Sequence, residues 1–362
     1  MITRIEIDGF KSFVDFELDV PPFLVVMGGN ASGKSNLVDA LRSLADAVQG
    51  ADPFRVGIRN VRGIPAELFH QFEDGSRTDR LEIGVDCRTY ASDGTAAVDG
   101  RIERAAKYDA AQAEIVAGTV EARFGDRDRD ETARLTMTEL ASWVTLGLVP
   151  QLMRDRGLVT DRSPLQSNGA NLAAILGRIS ISDTQLWEEL LADAVALLPE
   201  LRGIRVERSR EYWDLELQSR GTGWMSARTA SDGTLRVLAA LAAMLDPVGP
   251  STVILDEVEN GLHPARLAEL VRRLRSITSA SQSNGPRRQL ILTTHSPVVL
   301  SALYPEHEHE VVFLSTAFGP RIVEGRKVGS VRTVVRPVGG TELPRAMVRG
   351  IIDTVRPWEA RP

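Results

Sequence analysis

Cysteine is almost missing from this chain. Cys87 stands alone among 362 residues, so no internal disulfide can form and a reducing compartment is expected. Lysine is nearly as scarce. Lys11, Lys34, Lys107 and Lys327 are the only ones, and the remaining 39 of 43 basic residues are arginines. That bias looks like GC-rich codon usage, so arginine clusters alone do not argue for nucleic acid. Long apolar runs are missing too. The longest stretch, Leu235 to Leu245, has the length of one core helix, so no membrane span is expected. The opening "MITRIEIDGF" carries charges throughout and no apolar signal region, so a cytoplasmic location is expected. A net charge of −6 excludes a chain that is basic all over, though not a local basic patch.

What is present is an ordinary globular composition, 43% hydrophobic, ample for a core. "ITRIEIDGFKSFVDFELDV" alternates apolar and polar residues and reads as two strands joined near Gly9 to Ser12. "FLVVM", Phe23 to Met27, is a short continuous apolar run, as in a buried strand. A glycine loop follows. Leu37, Leu41, Leu44 and Val48 then recur at helical spacing. Residues 81 to 124 read as further strands. From about Thr132 the period becomes helical. Leu172, Ile175, Leu176 and Ile179 share one face, and Ser182 with Gln185 fits a capping box before "LWEELLADAVALL". Strands return with "GIRVERS" and "YWDLELQS". "TLRVLAALAAML" is apolar nearly all round and predicts a buried helix. "STVILDE" and "RQLILTTHS" predict two more buried strands, separated by the helix "PARLAELVRRLRSI" and the linker "TSASQSNGPR".

Four motifs carry chemistry. The first is "GGNASGKSN", Gly28 to Asn36, placed between strand and helix. Glycines let the backbone curl so that successive N–H groups face phosphate oxygens, and the helix start adds positive potential. Lys34 would reach the β- and γ-phosphates, and Ser35 would ligate Mg²⁺. The plain alternative, a glycine turn before an ordinary helix, is weakened by the strand–loop–helix context. The second motif is "VILDEVENGLHP". Asp256, ending an apolar strand, would sit beside the metal, and Glu257 would be the base that orients or deprotonates the attacking water. The third is His295 in "LILTTHSP", able to hydrogen-bond a γ-phosphate; taken alone, a satisfied histidine in a strand-end turn is the better reading. The fourth is "ASDGTLRVLAAL", where Ser231, Gly233 and Thr234 stand at a helix start. A simple N-cap by Ser231 or Asp232 is the alternative there.

These motifs, in this order, resemble the ABC-type ATPase clan, and within it the SMC/RecF/OLD-like branch of stand-alone prokaryotic AAA-labelled ATPases. The P-loop is close to the Asn-x-x-Gly-Lys-Ser-Asn form of the SMC branch. "IDGFKSFVDFEL" resembles that branch's opening hairpin, "SDGT" stands where the family has its Ser-Gly-Gly signature, and "ENGLHP" is similar to a D-loop of OLD-like members. The resemblance covers about two-thirds of the chain. It implies an α/β P-loop NTPase with ABC-ATPase head architecture: a mixed sheet core, an N-terminal antiparallel β subdomain and an inserted helical lobe. Residues 1–130 and 201–362 would form the core and 131–200 the lobe. It further implies that Gly28, Asn30, Ala31, Ser32, Gly33, Lys34, Ser35 and Asn36 line ATP, with Mg²⁺ on Ser35 and Asp256. Ser231, Gly233 and Thr234 of one subunit would then close over the P-loop of another, giving a homodimer joined by ATP and released by hydrolysis. The sequence departs from the pattern at Val258, where many relatives have proline, and at Asp232, which replaces the first signature glycine. For the Q-loop, Gln71 and Gln166 are candidates, and neither is assigned.

A transporter ATPase is not expected, since Asn36 follows Ser35 and Ser231 lies 197 positions beyond Lys34. Nor is a self-contained nuclease of the OLD type expected. Only 66 residues follow Ser296, and Asp353 is their one aspartate. "EHEHE", Glu306 to Glu310, could bind metal or be a solvated loop. The stretch from Arg321 to Arg361 holds nine basic against four acidic residues, which suits nucleic acid, an acidic partner or plain solvation. Two classes remain: an ATPase sensor and regulator for a separately encoded effector, a nuclease or toxin in antiphage defence, or a RecF-like DNA-repair ATPase acting directly on DNA.

Overall fold

In this structure, a computed structural model, the described residues are 1–49, 61–90, 97–112, 114–282, 287–323, 326–338 and 345–353. Residues 283–286 of the expected linker and 354–362 of the basic tail lie outside them. In chain order the chain begins with β1 (Ile2–Asp8), β2 (Phe16–Asp19), β3 (Phe23–Met27) and α1 (Lys34–Gln49), followed by β4 (Arg80–Tyr90), β5 (Ala97–Asp109) and β6 (Glu114–Phe124). Next come α2 (Arg129–Ala141), β7 (Trp143–Leu146), α3 (Pro150–Met153), β8 (Gly157–Leu158), α4 (Leu172–Ser182) and α5 (Thr184–Leu197). β9 (Leu201–Ser209), β10 (Tyr212–Ser219), β11 (Trp224–Ser226), α6 (Asp232–Leu245), β12 (Thr252–Leu255) and α7 (Pro264–Ser281) follow. The chain continues with β13 (Gln289–Thr294), α8 (Pro297–Leu303), β14 (Val311–Val323), β15 (Arg326–Pro337) and α9 (Arg345–Asp353). Two compact units result. One comprises the described residues of 1–143 and 308–348, the other those of 144–307 and 349–353.

The first unit is built on an antiparallel sheet ordered β2-β1-β4-β5-β6. From Ile5 onward β1 alternates: Ile5 and Ile7 are buried while Glu6 and Asp8 are partly exposed. Register sets Ile5 opposite Leu18 and Ile7 opposite Phe16, so apolar residues pair across the hairpin. The joint between β1 and β2 needs glycine. Gly9 has φ +69°, and a Cβ there would lie 2.2 Å from the Arg80 carbonyl oxygen. Phe10 and Phe13, just beyond it, are fully buried. In the same unit β3 runs parallel to β14, with Val25 opposite Val311, and β15 returns antiparallel to β14. Every residue of β3 is buried, which explains its unbroken apolar sequence.

In the second unit, β12 and β13 are parallel neighbours, with β7 on the far side of β12. α6 is buried almost all round; from Gly233 to Met244 only Arg236 is not. Two corrections apply to the helix ends. Ser182 closes α4, and it is Asp183 that caps α5, its carboxylate accepting from Leu186 N–H at 3.0 Å. α7 runs on through Ser281 rather than stopping at Ile277, and in its last turn the Thr278 carbonyl accepts from Ser281 Oγ and Gln282 Nε2. The stretch 131–200 holds α2 through α5, with the short strands β7 and β8 among them.

The loop after α6 is fastened by charge. The Asp246 carboxylate, 1% exposed, pairs with Arg178. Arg288 donates to the carbonyls of Asp246, Gly249 and Pro250, and burial pushes its guanidinium below the ordinary arginine value. An ion in such a place is costly once its partner is gone. Asp246→Ala leaves Arg178 buried without its carboxylate, and stability in urea is expected to fall by about 3–5 kcal/mol; a loss under ~1 kcal/mol would contradict this account.

Candidate nucleotide site

On the first unit the fully buried β3 delivers the chain to Gly28, and α1 starts at Lys34. Between them the backbone turns through positive φ at Ala31 (61°) and Gly33 (104°). The loop is held against β14 and β15 at distances only glycine allows. A Cβ on Gly28 would lie 2.3 Å from Ser32 Oγ and 2.6 Å from the Leu314 carbonyl oxygen, and one on Gly33 would lie 2.3 Å from Thr333 Oγ1. The Thr333 hydroxyl is 3.1 Å from the Ser32 carbonyl oxygen and 2.8 Å from Ser12 Oγ, while Thr333 N–H donates to the Ser12 carbonyl at 2.7 Å. Asn36, expected to line nucleotide, donates through Nδ2 to Ser12 Oγ at 2.8 Å. Its carboxamide therefore ties α1 to the turn after β1.

Lys34 folds back over the loop, its Nζ donating to the carbonyls of Gly28 (2.7 Å) and Gly29 (2.9 Å). The ammonium is mostly buried. Ser32 Oγ is buried and has no hydrogen-bond partner among the described residues. A buried ammonium, an unpaired hydroxyl and a glycine cradle that any Cβ would fill form a donor-rich concavity at a helix start, and that chemistry fits a phosphate. Ser35 follows, half-buried in the first turn of α1.

On the second unit β12 ends at Leu255 and presents Asp256 and Glu257. Thr293, on β13, organises both: its hydroxyl donates to Asp256 Oδ1 and accepts from Glu257 N–H at 2.9 Å. Glu257 sits at φ +50°, an uncommon conformation for a side chain of its size, and its Oε2 accepts from Asn260 Nδ2 at 2.8 Å. His295 meets a residue that sequence reasoning missed. Glu259 Oε1 accepts from His295 Nδ1 at 2.5 Å and from His295 N–H at 2.7 Å. The carboxylate is 10% exposed, so the histidine is held by a nearly buried anion. With Nδ1 protonated toward Glu259, Nε2 is the nitrogen left to meet another group.

Ser231 caps α6, its Oγ accepting from Thr234 N–H at 3.1 Å and lying 2.8 Å from Thr234 Oγ1. The cap reading of this turn is thus realised. Gly233 answers to packing as well, since a Cβ there would lie 2.5 Å from the Gly261 carbonyl oxygen. The "SDGT" turn therefore abuts the "ENGLHP" turn. Between them lies Arg236, whose guanidinium is pushed down by burial while the Asp232 and Glu257 carboxylates pull it up. The end of "ENGLHP" is a helix-start signal: His263 caps α7, its Nδ1 accepting from Ala265 N–H at 3.3 Å, and Pro264 is the first helical residue.

The remaining candidates fall elsewhere. Gln71 accepts from Arg77 at 3.1 Å, and Gln166 donates its backbone N–H to Asn171 at 2.9 Å. Glu306 to Glu310 end in a short 3₁₀ turn, and among the described residues no three His, Cys, Asp or Glu side chains gather to hold a metal ion. No helix among the described residues is long and apolar enough to cross a membrane.

Residues 198–301, which hold the second-unit cluster, match a family described as "AAA domain, putative AbiEii toxin, Type IV TA system". An SMC head bound to the C-terminal winged-helix domain of ScpA superposes with a TM-score of 0.60 at 14% identity, over 93% of this chain and 98% of that one. The fold is that of an SMC head domain. Two further SMC heads agree. That of Pyrococcus furiosus, with an extended coiled coil and the C-terminal domain of ScpA, gives a TM-score of 0.57 at 12% identity, over 98% and 99% of the two chains. That of Pyrococcus yayanosii, with a coiled coil and joint, gives 0.57 at 11%, over 96% and 99%. No curated protein matches in sequence. The mixed α/β core and antiparallel opening sheet share the fold of these SMC heads, and together with the AAA-domain match over 198–301 they support an ATPase.

The cradle makes a direct prediction. Gly33→Ala forces a side chain against Thr333 at positive φ, a strain of roughly 1–3 kcal/mol. Affinity for a fluorescent ATP analogue is expected to drop at least about tenfold in anisotropy titrations. Unchanged affinity would show that the loop has room to move.

Proposed function

We propose that this SMC-type head binds and hydrolyses ATP, that two copies close around the nucleotide, and that it serves in the cytoplasm as the sensor and regulatory subunit of a separately encoded effector, a nuclease or toxin in antiphage defence. The observation that carries the ATPase reading is the donor-lined loop from Gly28 to Ser35, with its buried Lys34 ammonium and unpaired Ser32 hydroxyl. The loop supplies donors for phosphate, and the strand-end carboxylates Asp256 and Glu257 supply acceptors for water and cation. In this division of labour, 1–130 and 201–362 act as the ATPase core and 131–200 as its lobe.

Lys34 holds the β- and γ-phosphates. Ser35 and Asp256 would hold Mg²⁺, which would offset phosphate charge. Thr293 keeps Asp256 and the Glu257 backbone in fixed relation. Glu257 orients the attacking water and accepts its proton. Glu259 fixes His295 so that Nε2 meets the γ-phosphate. Ser231, Gly233 and Thr234 complete the site of the opposite copy. ATP then shifts the population toward closure because both copies contact it only in the closed state.

The effector role draws on two findings: the matched family's description names a toxin system, and two similar SMC heads carry a domain of ScpA. Lys34→Ala is expected to lose ATP binding. Glu257→Gln should retain it and slow hydrolysis by roughly a hundredfold or more. Wild-type turnover by Glu257→Gln would remove that residue from the role of base.

A second reading, a RecF-like ATPase acting directly on DNA, is favoured by the exposed Arg326, Lys327 and Arg332 of β15. On the regulator reading, DNA binding by the isolated chain is weak and falls steeply with salt, since phosphate contacts release counterions. Tight, salt-insensitive binding in an anisotropy assay would favour the repair reading instead.

A further inference from the structure

The turn that begins α6 is tied down by one arginine. Arg154, just after α3, donates through Nη2 to the Ala230 carbonyl at 2.9 Å and to Asp232 Oδ1 at 2.7 Å. Its side chain is 22% exposed and that of Asp232 51%. The pair therefore sits at the surface of the turn, with the arginine the better enclosed partner.

Asp232 stands in the first turn of α6. An acid in the first turn of a helix complements the helix dipole. The same positive helix start is also what would draw a phosphate to Ser231 and the first-turn amides. A carboxylate there occupies the field that a second anion needs, and repels it. Arg154 answers that repulsion with a guanidinium at 2.7 Å from the carboxylate. Its second hydrogen bond fixes the Ala230 carbonyl, which precedes the Ser231 cap directly.

We propose that Arg154 is a positioning residue for nucleotide-driven closure: it neutralises Asp232 and holds the Ala230–Asp232 turn, so that Ser231 and the first-turn amides of α6 can receive the γ-phosphate held by a second copy. The inference rests on the reading in which Ser231 and Gly233 complete the opposite copy's site. It also gives the 131–200 stretch a role, since that stretch provides the arginine. The plainer role for Arg154 is to staple α3 to α6. The two roles differ in whether the defect depends on Asp232.

The test uses the full chain on a Glu257→Gln background for assembly and the wild-type background for turnover. Arg154→Ala and Arg154→Gln are expected to bind a fluorescent ATP analogue as the parent does, because the P-loop is untouched. Both should need roughly tenfold more protein for ATP-dependent dimerisation in analytical ultracentrifugation, with turnover reduced alongside. Arg154→Lys keeps the charge but loses the planar guanidinium, so it should fall between the parent and Arg154→Gln. Adding Asp232→Gly to Arg154→Ala should restore most of the loss. The proposal is overturned if Arg154→Gln dimerises like the parent, or if Asp232→Gly restores nothing. Ser231→Arg separates the two layers. If it turns over ATP normally, the shared-site reading fails and takes this inference with it. If it is inactive while Arg154→Ala and Arg154→Gln behave as wild type, only the role of Arg154 falls.

Discussion

The approach of Gly33 to Thr333 is the constraint on which the first unit depends. The Thr333 hydroxyl stands where a side chain on Gly33 would otherwise be, and it also touches Ser32 and Ser12. Ser12 in turn receives Asn36. One hydroxyl thus joins the phosphate-type loop, the turn after β1, the start of α1 and the edge strand β15. Only a glycine at positive φ satisfies both the curl of the loop and this contact. The same residue that frees backbone donors for an anion also lets the loop be braced from behind.

The second unit uses the same economy. Gly233 permits the "SDGT" turn to meet the Gly261 carbonyl, and Thr293 serves Asp256 and the Glu257 backbone at once. Glu259 is the most consequential of these supports. Its nearly buried carboxylate takes two hydrogen bonds from His295 and selects the ring nitrogen that stays available. A histidine at a strand end would otherwise be free to turn. Here its orientation is set before any ligand arrives.

Much of this was legible in the sequence because the signals are local. β3 reads as buried because all five residues are apolar, α6 because polar residues are nearly missing from its faces, and the loop because glycine, lysine and serine stand at fixed spacing between strand and helix. Helix ends were less legible. Asp183 and Ser182 are both plausible caps by composition, and only the Asp183 bond to Leu186 decides between them. The supports were not legible at all. Thr333 lies some 300 positions from the loop it braces, and Arg154 lies 78 from the aspartate it neutralises. Such pairs are products of topology, and no periodicity records them. Glu259 was closer to hand, only three residues past Asp256, but an acid in a turn reads as solvated until its burial is known.

The brace on the loop also orders events during synthesis. The Gly28–Asn36 segment is made well before β14 and β15. A nascent chain that has not reached Thr333 has the lysine and glycines in place but lacks the hydroxyl that backs Gly33 and Ser32. Its loop is then an unsupported turn, with the entropy of one. Assembly of the braced loop therefore waits for Thr333, which is made after the residues of the Asp256–His295 cluster.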